Sequence, residues 1–162
     1  MHTLTPLTKN VSHLLRQRQE SVGVAESSTG GLVSAALLAI PGASAYFIGG
    51  GILYTHTARK QLLGIDLDNT PELRASTEAY ARLVADRIRE HLSTTWGVCE
   101  TGAAGPSGNR YGDSAGHTCI AISGPVSQSI TVETGLTDRE QNMWIFTEKV
   151  LQLFEQSLIY NT

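Results

Sequence analysis

Aromatic residues are scarce in this chain of 162 residues, at 6%, and it holds only 2 cysteines, 5 prolines and 2 tryptophans. Two cysteines exclude a disulfide-stapled scaffold. Neither Cys99 nor Cys119 has the CxxC or Cys/His spacing of a zinc site, and both fall in strand-like apolar runs, so they read as reduced core thiols. Charge is thin as well: 17% of residues are charged and the formal net charge is -3. No clustered basic excess is present to serve as a nucleic-acid footprint, and direct nucleic-acid contact is not expected. No apolar run approaches a membrane span. The first stretch interleaves Leu4, Leu7, Val11, Leu14 and Leu15 with Lys9, Arg16 and Arg18, unlike the continuous apolar core of a signal peptide. The absences leave a soluble, cytoplasmic protein with no membrane partner, no metal and no cofactor, suited to a small polar ligand.

What is present is 41% hydrophobic residues and 16 glycines, over a length of about one domain, so residues 1–162 are read as a single domain. The chain is organised around residues 22–31, Val-Gly-Val-Ala-Glu-Ser-Ser-Thr-Gly-Gly. A short apolar run stops at Glu26, a hydroxyl-rich turn follows, and another apolar segment begins. That is strand, turn, helix. Ser27, Ser28 and Thr29 are suitable N-caps, and Gly30 and Gly31 let the turn bend tightly and lie close to a ligand.

In order along the chain, residues 4–18 have helical spacing, 21–26 read as a buried strand, and 30–40 as a helix apolar nearly all round that stops at Pro41-Gly42. Tyr46 to Tyr54 is a second strand, in which Gly49-Gly50-Gly51 points to a helix or ligand lying very near the backbone. Thr55 caps a short helix through Leu63, and Thr70-Pro71 marks the start of a long one through Leu92. Trp96 to Thr101 is a third strand, with a glycine-rich loop from Gly102 to about Ser114. Residues 116–123 and 129–133 flank Gly124-Pro125, too short a link for a crossover, and read as an antiparallel hairpin. A helix capped by Thr137 or Asp138 ends the chain. Strands separated by helices form parallel crossovers, so the expected fold is α/β: a three-layer α/β/α sandwich with a mixed five-stranded sheet, its first three strands parallel. Their carboxyl ends share the edge at which open α/β sheets bind ligands, and loops 27–31, 54–59 and 101–113 leave from it.

At these loops the sequence resembles a known family. Ala25-Glu26-Ser27-Ser28-Thr29-Gly30-Gly31 is similar to the AESCTGG motif of the CinA C-terminal domain family. Pro41 to Phe47 resembles its PGSSAxF, Tyr54 to Arg59 its YSNEAK, and Leu63-Gly64-Ile65 its LGV. Thr101 to Pro106 resembles TGIAGP, Ala115 to Thr118 stands at VGTV, and Thr137-Asp138-Arg139 at GDR. The resemblance implies deamidation of nicotinamide mononucleotide to nicotinate mononucleotide and ammonia, in pyridine nucleotide salvage. A homodimer is expected, the family often being associated.

Hydrolysing a carboxamide needs a nucleophile, oxyanion donors and a proton for ammonia. In this reading Ser27 is the nucleophile or orients a water. The N–H groups of Ser28, Thr29, Gly30 and Gly31 stabilise an oxyanion or bind phosphate. Tyr54 relays a proton or stacks on the pyridine ring. Thr101 and the backbone of Gly102, Ala104 and Gly105 hold ribose or phosphate, and Arg139 pairs with the phosphate. Several positions depart from the family pattern. Ser28 replaces its cysteine, Arg59 stands at the lysine of YSNEAK, Asp113 where a lysine is common, and Met143 where a second arginine follows GDR. Arg74-Ala75-Ser76-Thr77-Glu78 replaces HGAVSE. Arginine stays protonated and cannot be a general base, and Lys60 points about 100° further round the helix. Histidine is the residue type suited to a general base at neutral pH, and His56 is the substitute base; His117, at a strand start, is read as structural. The alternative is a nucleotide-binding module with little or no catalysis.

Overall fold

The computed structural model describes residues 3–161. The order is α1 (Thr5–Arg18), β1 (Val22–Glu26), α2 (Leu32–Leu38), β2 (Phe47–Ile52), α3 (His56–Leu63), α4 (Glu78–Leu92), β3 (Trp96–Ala103), β4 (His117–Ser123), β5 (Gln128–Glu133) and α5 (Arg139–Tyr160). The strands form one sheet, β2-β1-β3-β4-β5. β1 is parallel to both β2 and β3, with Val24 beside Gly50 and Val98; β3 to β5 are antiparallel neighbours. The expected mixed sheet is therefore present. Among the described residues no helix is long and apolar enough to cross a membrane.

Strand alternation splits the core into two layers. Val22, Val24, Val98, Ile120 and Ile122 face α1, α2 and α5, where Trp96 meets Phe154 edge-on at 5.8 Å. Ala25, Cys99, Cys119 and Ala121 face Tyr80, Val84 and Ile88 of α4. Both cysteines are free and buried. α4 lies almost on the sheet: a Cβ at Gly97 would stand 2.1 Å from the Ala85 carbonyl oxygen. The glycines of β2 also mark a close helix, since a Cβ at Gly50 would meet Ser34 Oγ of α2 at 2.8 Å.

Two of the boundaries that differ from the sequence reading bear on the site. α4 begins at Glu78, not at Pro71, because Thr77 Oγ1 accepts from the Tyr80 amide and supplies the cap; residues 70–77 form turns. β3 runs on through Gly102 and Ala103, which pair with Thr118 and His117. Glycine suits Gly102 because a Cβ there would lie 2.4 Å from the His117 carbonyl oxygen, so close pairing, not a loop, explains it.

Candidate functional site

β1 ends at Glu26, and the turn that follows is held from inside the protein. Glu26 accepts from the amides of Gly31 at 3.1 Å, Val33 at 3.0 Å and Ser34 at 2.8 Å, so a strand-end carboxylate caps α2. Glu100, on the neighbouring strand, accepts from the amides of Ser27 at 3.1 Å and Thr29 at 3.0 Å and from the hydroxyls of Thr118, at 2.8 Å, and Ser28. Thr29 Oγ1 lies 2.7 Å from Glu26 and 3.0 Å from Glu100, one hydroxyl spanning both carboxylates. Each glutamate is 1% exposed. Buried carboxylates of this kind persist only when donors surround them, and here neutral donors do so.

This arrangement corrects the expected role of the turn. The hydroxyls of Ser27, Ser28 and Thr29 do not cap α2, whose N-cap is Gly31 with no side-chain hydrogen bond. The amides of Thr29 and Gly31 are taken by the two carboxylates, and that of Gly30 donates to the Ser27 carbonyl at 3.1 Å. Ser28 and Thr29 are buried under the turn, and with Gly30 and Gly31 they are not among the residues that line the cavity above it.

That cavity, of about 340 Å³, opens at the carboxyl ends of the three parallel strands. Of the residues singled out from sequence, Ser27, Tyr54, His56, Arg59, Thr101 and Gly102 line it. Ser27 lines the cavity with its amide engaged by Glu100. Thr101 Oγ1 accepts from the Ser76 amide at 3.1 Å. Ala104 and Gly105 turn away: their carbonyls accept from Asn142 at 2.7 Å and from Arg139 at 2.6 Å. Arg139 also donates to the Tyr54 hydroxyl at 3.0 Å, so it braces the rim without lining the cavity.

The facing wall consists of Ser76, Asn109, Arg110 and Tyr111, none singled out from sequence. Asn109 Oδ1 accepts from the amides of Tyr111 and Asp113, an Asx turn whose signal was the Asn-x-x-Gly-Asp run at 109–113. Arg74 grips Asp113 through two bonds, 2.7 and 3.2 Å, and its guanidinium sits 4.9 Å from the Tyr111 ring. The Arg74 hydrogen bond holds the Asp113 carboxyl below its ordinary range. Behind this wall His117 Nε2 contacts the Ser76 carbonyl at 2.8 Å, and Nδ1 pairs with Glu133. Burial opposes the imidazolium, but the Glu133 and Ser76 bonds and the nearby Asp113 charge outweigh it and raise the His117 pKa. His117 supports the wall from outside the cavity.

Electrostatically the lining is one-sided, with Arg59, Arg110 and His56 and no carboxylate among its residues. Arg59 is 9% exposed and lies 5.5 Å from the centroid of the Tyr80 ring. Lys60, as its place on the helix required, points away and pairs with Asp66 at 3.0 Å. His56 Nε2 is 3.5 Å from Asp68 and 3.9 Å from Asp66. These three side chains bring possible metal-ligand atoms within 4.8 Å, but the Lys60 ammonium already occupies Asp66, which disfavours a second cation there.

Comparison with known proteins agrees with this architecture. A CinA-like protein of Cyanothece is 43% identical over 119 residues, 74% of this chain and 28% of that protein. One from Chlorobium limicola is 38% identical over 153 residues, 91% of this chain and 36% of that protein. The chain thus spans about a third of the length of these relatives. A crystal structure of a competence-damaged protein (CinA) superfamily member from Enterobacter cloacae matches with a TM-score of 0.88 at 24% identity, covering 98% of this chain and 94% of that one. The competence damage-inducible protein A structure from Klebsiella pneumoniae matches at 0.91 and 22%, covering 99% and 100%. Since the CinA C-terminal domain model also matches residues 4–158, this chain belongs to the CinA C-terminal domain family.

Proposed function

We propose that the chain is an amidohydrolase that deamidates nicotinamide mononucleotide to nicotinate mononucleotide and ammonia. The observation that carries this reading is the gathering of Ser27, His56, Arg59 and Arg110 around one cavity with no carboxylate among the lining residues. A hydroxyl, an imidazole and two guanidinium groups suit a neutral amide joined to an anionic phosphate. Tyr54 supplies a face for the pyridine ring.

In this mechanism Ser27 Oγ attacks the carboxamide carbon and its proton passes to His56. Nε2 lies 3.5 Å from Asp68, buried and without a hydrogen-bond partner among the described residues, and Nδ1 is assigned as the nitrogen that accepts it. Arg59 stabilises the oxyanion. On collapse the amide nitrogen takes the proton from His56 and leaves as ammonia, and water then hydrolyses the acyl-serine to the acid. Arg110, which donates to the Tyr111 hydroxyl at 2.9 Å and has no carboxylate partner among the described residues, holds the phosphate.

Incubation with nicotinamide mononucleotide, following ammonia and nicotinate mononucleotide, tests this. Turnover that is lost in Ser27→Ala and falls at least a hundredfold in His56→Ala supports it. The second reading is a binding module without catalysis. It is favoured by the turn amides, already committed to Glu26 and Glu100, and by Arg59, which cannot accept a proton. Measurable binding with no turnover would select it.

A further inference from the structure

Arg59 is a nearly buried cation without an anion. Its guanidinium stays ionised. The carboxylates around the site lie with other partners: Glu26 and Glu100 with the turn, Asp66 with Lys60, Asp68 beside His56 and Asp113 with Arg74. The Tyr80 ring 5.5 Å away steadies one face but offers the guanidinium edge no carboxylate. Arg59 Nε is buried with no hydrogen-bond partner among the described residues. An uncompensated buried charge is unfavourable, and a ligand that brings an opposite charge to it from the adjoining cavity is held firmly.

We propose that Arg59 is the receptor for a planar carboxylate, which makes an aromatic acid a tighter ligand of this cavity than the matching amide. Two parallel N–H donors fit two carboxylate oxygens. An amide presents one oxygen and one NH2, and the NH2 meets a donor. Resting on the nucleotide reading of the cavity, the preference means that the acid product leaves slowly and competes with its own substrate, so the product of the reaction governs its rate. Arg110 at the opposite wall treats acid and amide alike, because it meets the phosphate that both carry.

Titration calorimetry with nicotinate mononucleotide and nicotinamide mononucleotide reads the preference directly. The acid is expected to bind on the order of tenfold more tightly. Arg59→Met is expected to erase the difference, and Arg110→Ala to weaken both ligands equally. A second arm needs neither the nucleotide nor turnover. In the unmutated protein, benzoate is expected to shift the Arg59 Nε–H NMR resonance, assigned by its loss in Arg59→Lys, while benzamide leaves it in place. If benzoate shifts the resonance but neither mononucleotide binds, the carboxylate receptor stands and the nucleotide reading fails. Equal affinity for acid and amide, or a resonance indifferent to benzoate, overturns the inference.

Discussion

Removing the Glu100 carboxylate is expected to loosen the turn that carries Ser27. Glu100→Ala leaves the amides of Ser27 and Thr29 without acceptors in a buried setting, at about 1–3 kcal/mol each. The hydroxyls of Ser28 and Thr118 lose the same partner but rotate to find others, and they add less. Release of a charge from the interior offsets part of the loss, leaving a destabilisation of about 3 kcal/mol. Glu100→Gln differs in an informative way. Its carbonyl oxygen still serves the two amides, and its NH2 faces two hydroxyls that accept as readily as they donate, so the expected loss is about 1 kcal/mol. Urea unfolding, followed through the buried Trp96 with slopes compared between variants, measures both. The gap of about 2 kcal/mol corresponds to about 4–8 °C in melting temperature for a chain of this size. If alanine and glutamine agree within about 0.5 kcal/mol, the hydrogen bonds of this carboxylate are not what secures the turn.

Three further outcomes follow from features away from Ser27. The His117 pKa is raised in the folded protein, so its contribution to stability is full below the unfolded value near 6.5 and fades as pH climbs through the higher folded value. The urea midpoint of the unmutated protein is therefore expected to lead that of His117→Phe most at pH 5–6 and to lose part of that lead by pH 8–9; a constant gap would refute this. Asp113→Asn should cost about 1 kcal/mol or less, because Arg74 is half exposed, yet weaken ligand binding several-fold by freeing the 109–113 wall; calorimetry and unfolding together check the split. Gly97→Ala drives a Cβ to 2.1 Å from the Ala85 carbonyl and is expected to destabilise by about 3 kcal/mol or more, readable as a fall in melting temperature.

The sheet was legible because its signals are local and repeated. Apolar strands, capped helices and the short Gly124-Pro125 link left few topologies. Six of the anticipated site residues line the cavity for the same reason: they sit where parallel strands end. The roles of Glu26 and Glu100 were not legible. Glu26 looked like the polar end of a strand, and Glu100 stands in an apolar run, a sign of a buried charge but silent about its partners. Those partners are 71 to 73 residues distant for Ser27, Ser28 and Thr29, beyond any local pattern. The start of α4 was misplaced because Pro71 and Leu73 imitate a helix opening, while Thr77 caps through a hydrogen bond to Tyr80. Residues 109–111 join the site only because Arg74 pins Asp113 across 39 positions of sequence.

The carboxylates beneath the turn bear on time as well as on stability. With the donors at residues 27, 29, 31, 33 and 34 committed when the chain folds, a ligand reaching Ser27 meets backbone that does not have to settle around it. The ordering entropy that a flexible loop surrenders on binding is not lost on this side of the cavity. The opposite wall is held separately, by the Asx turn at Asn109 and the Arg74 clamp on Asp113. The serine turn is thus a floor that a ligand meets already formed.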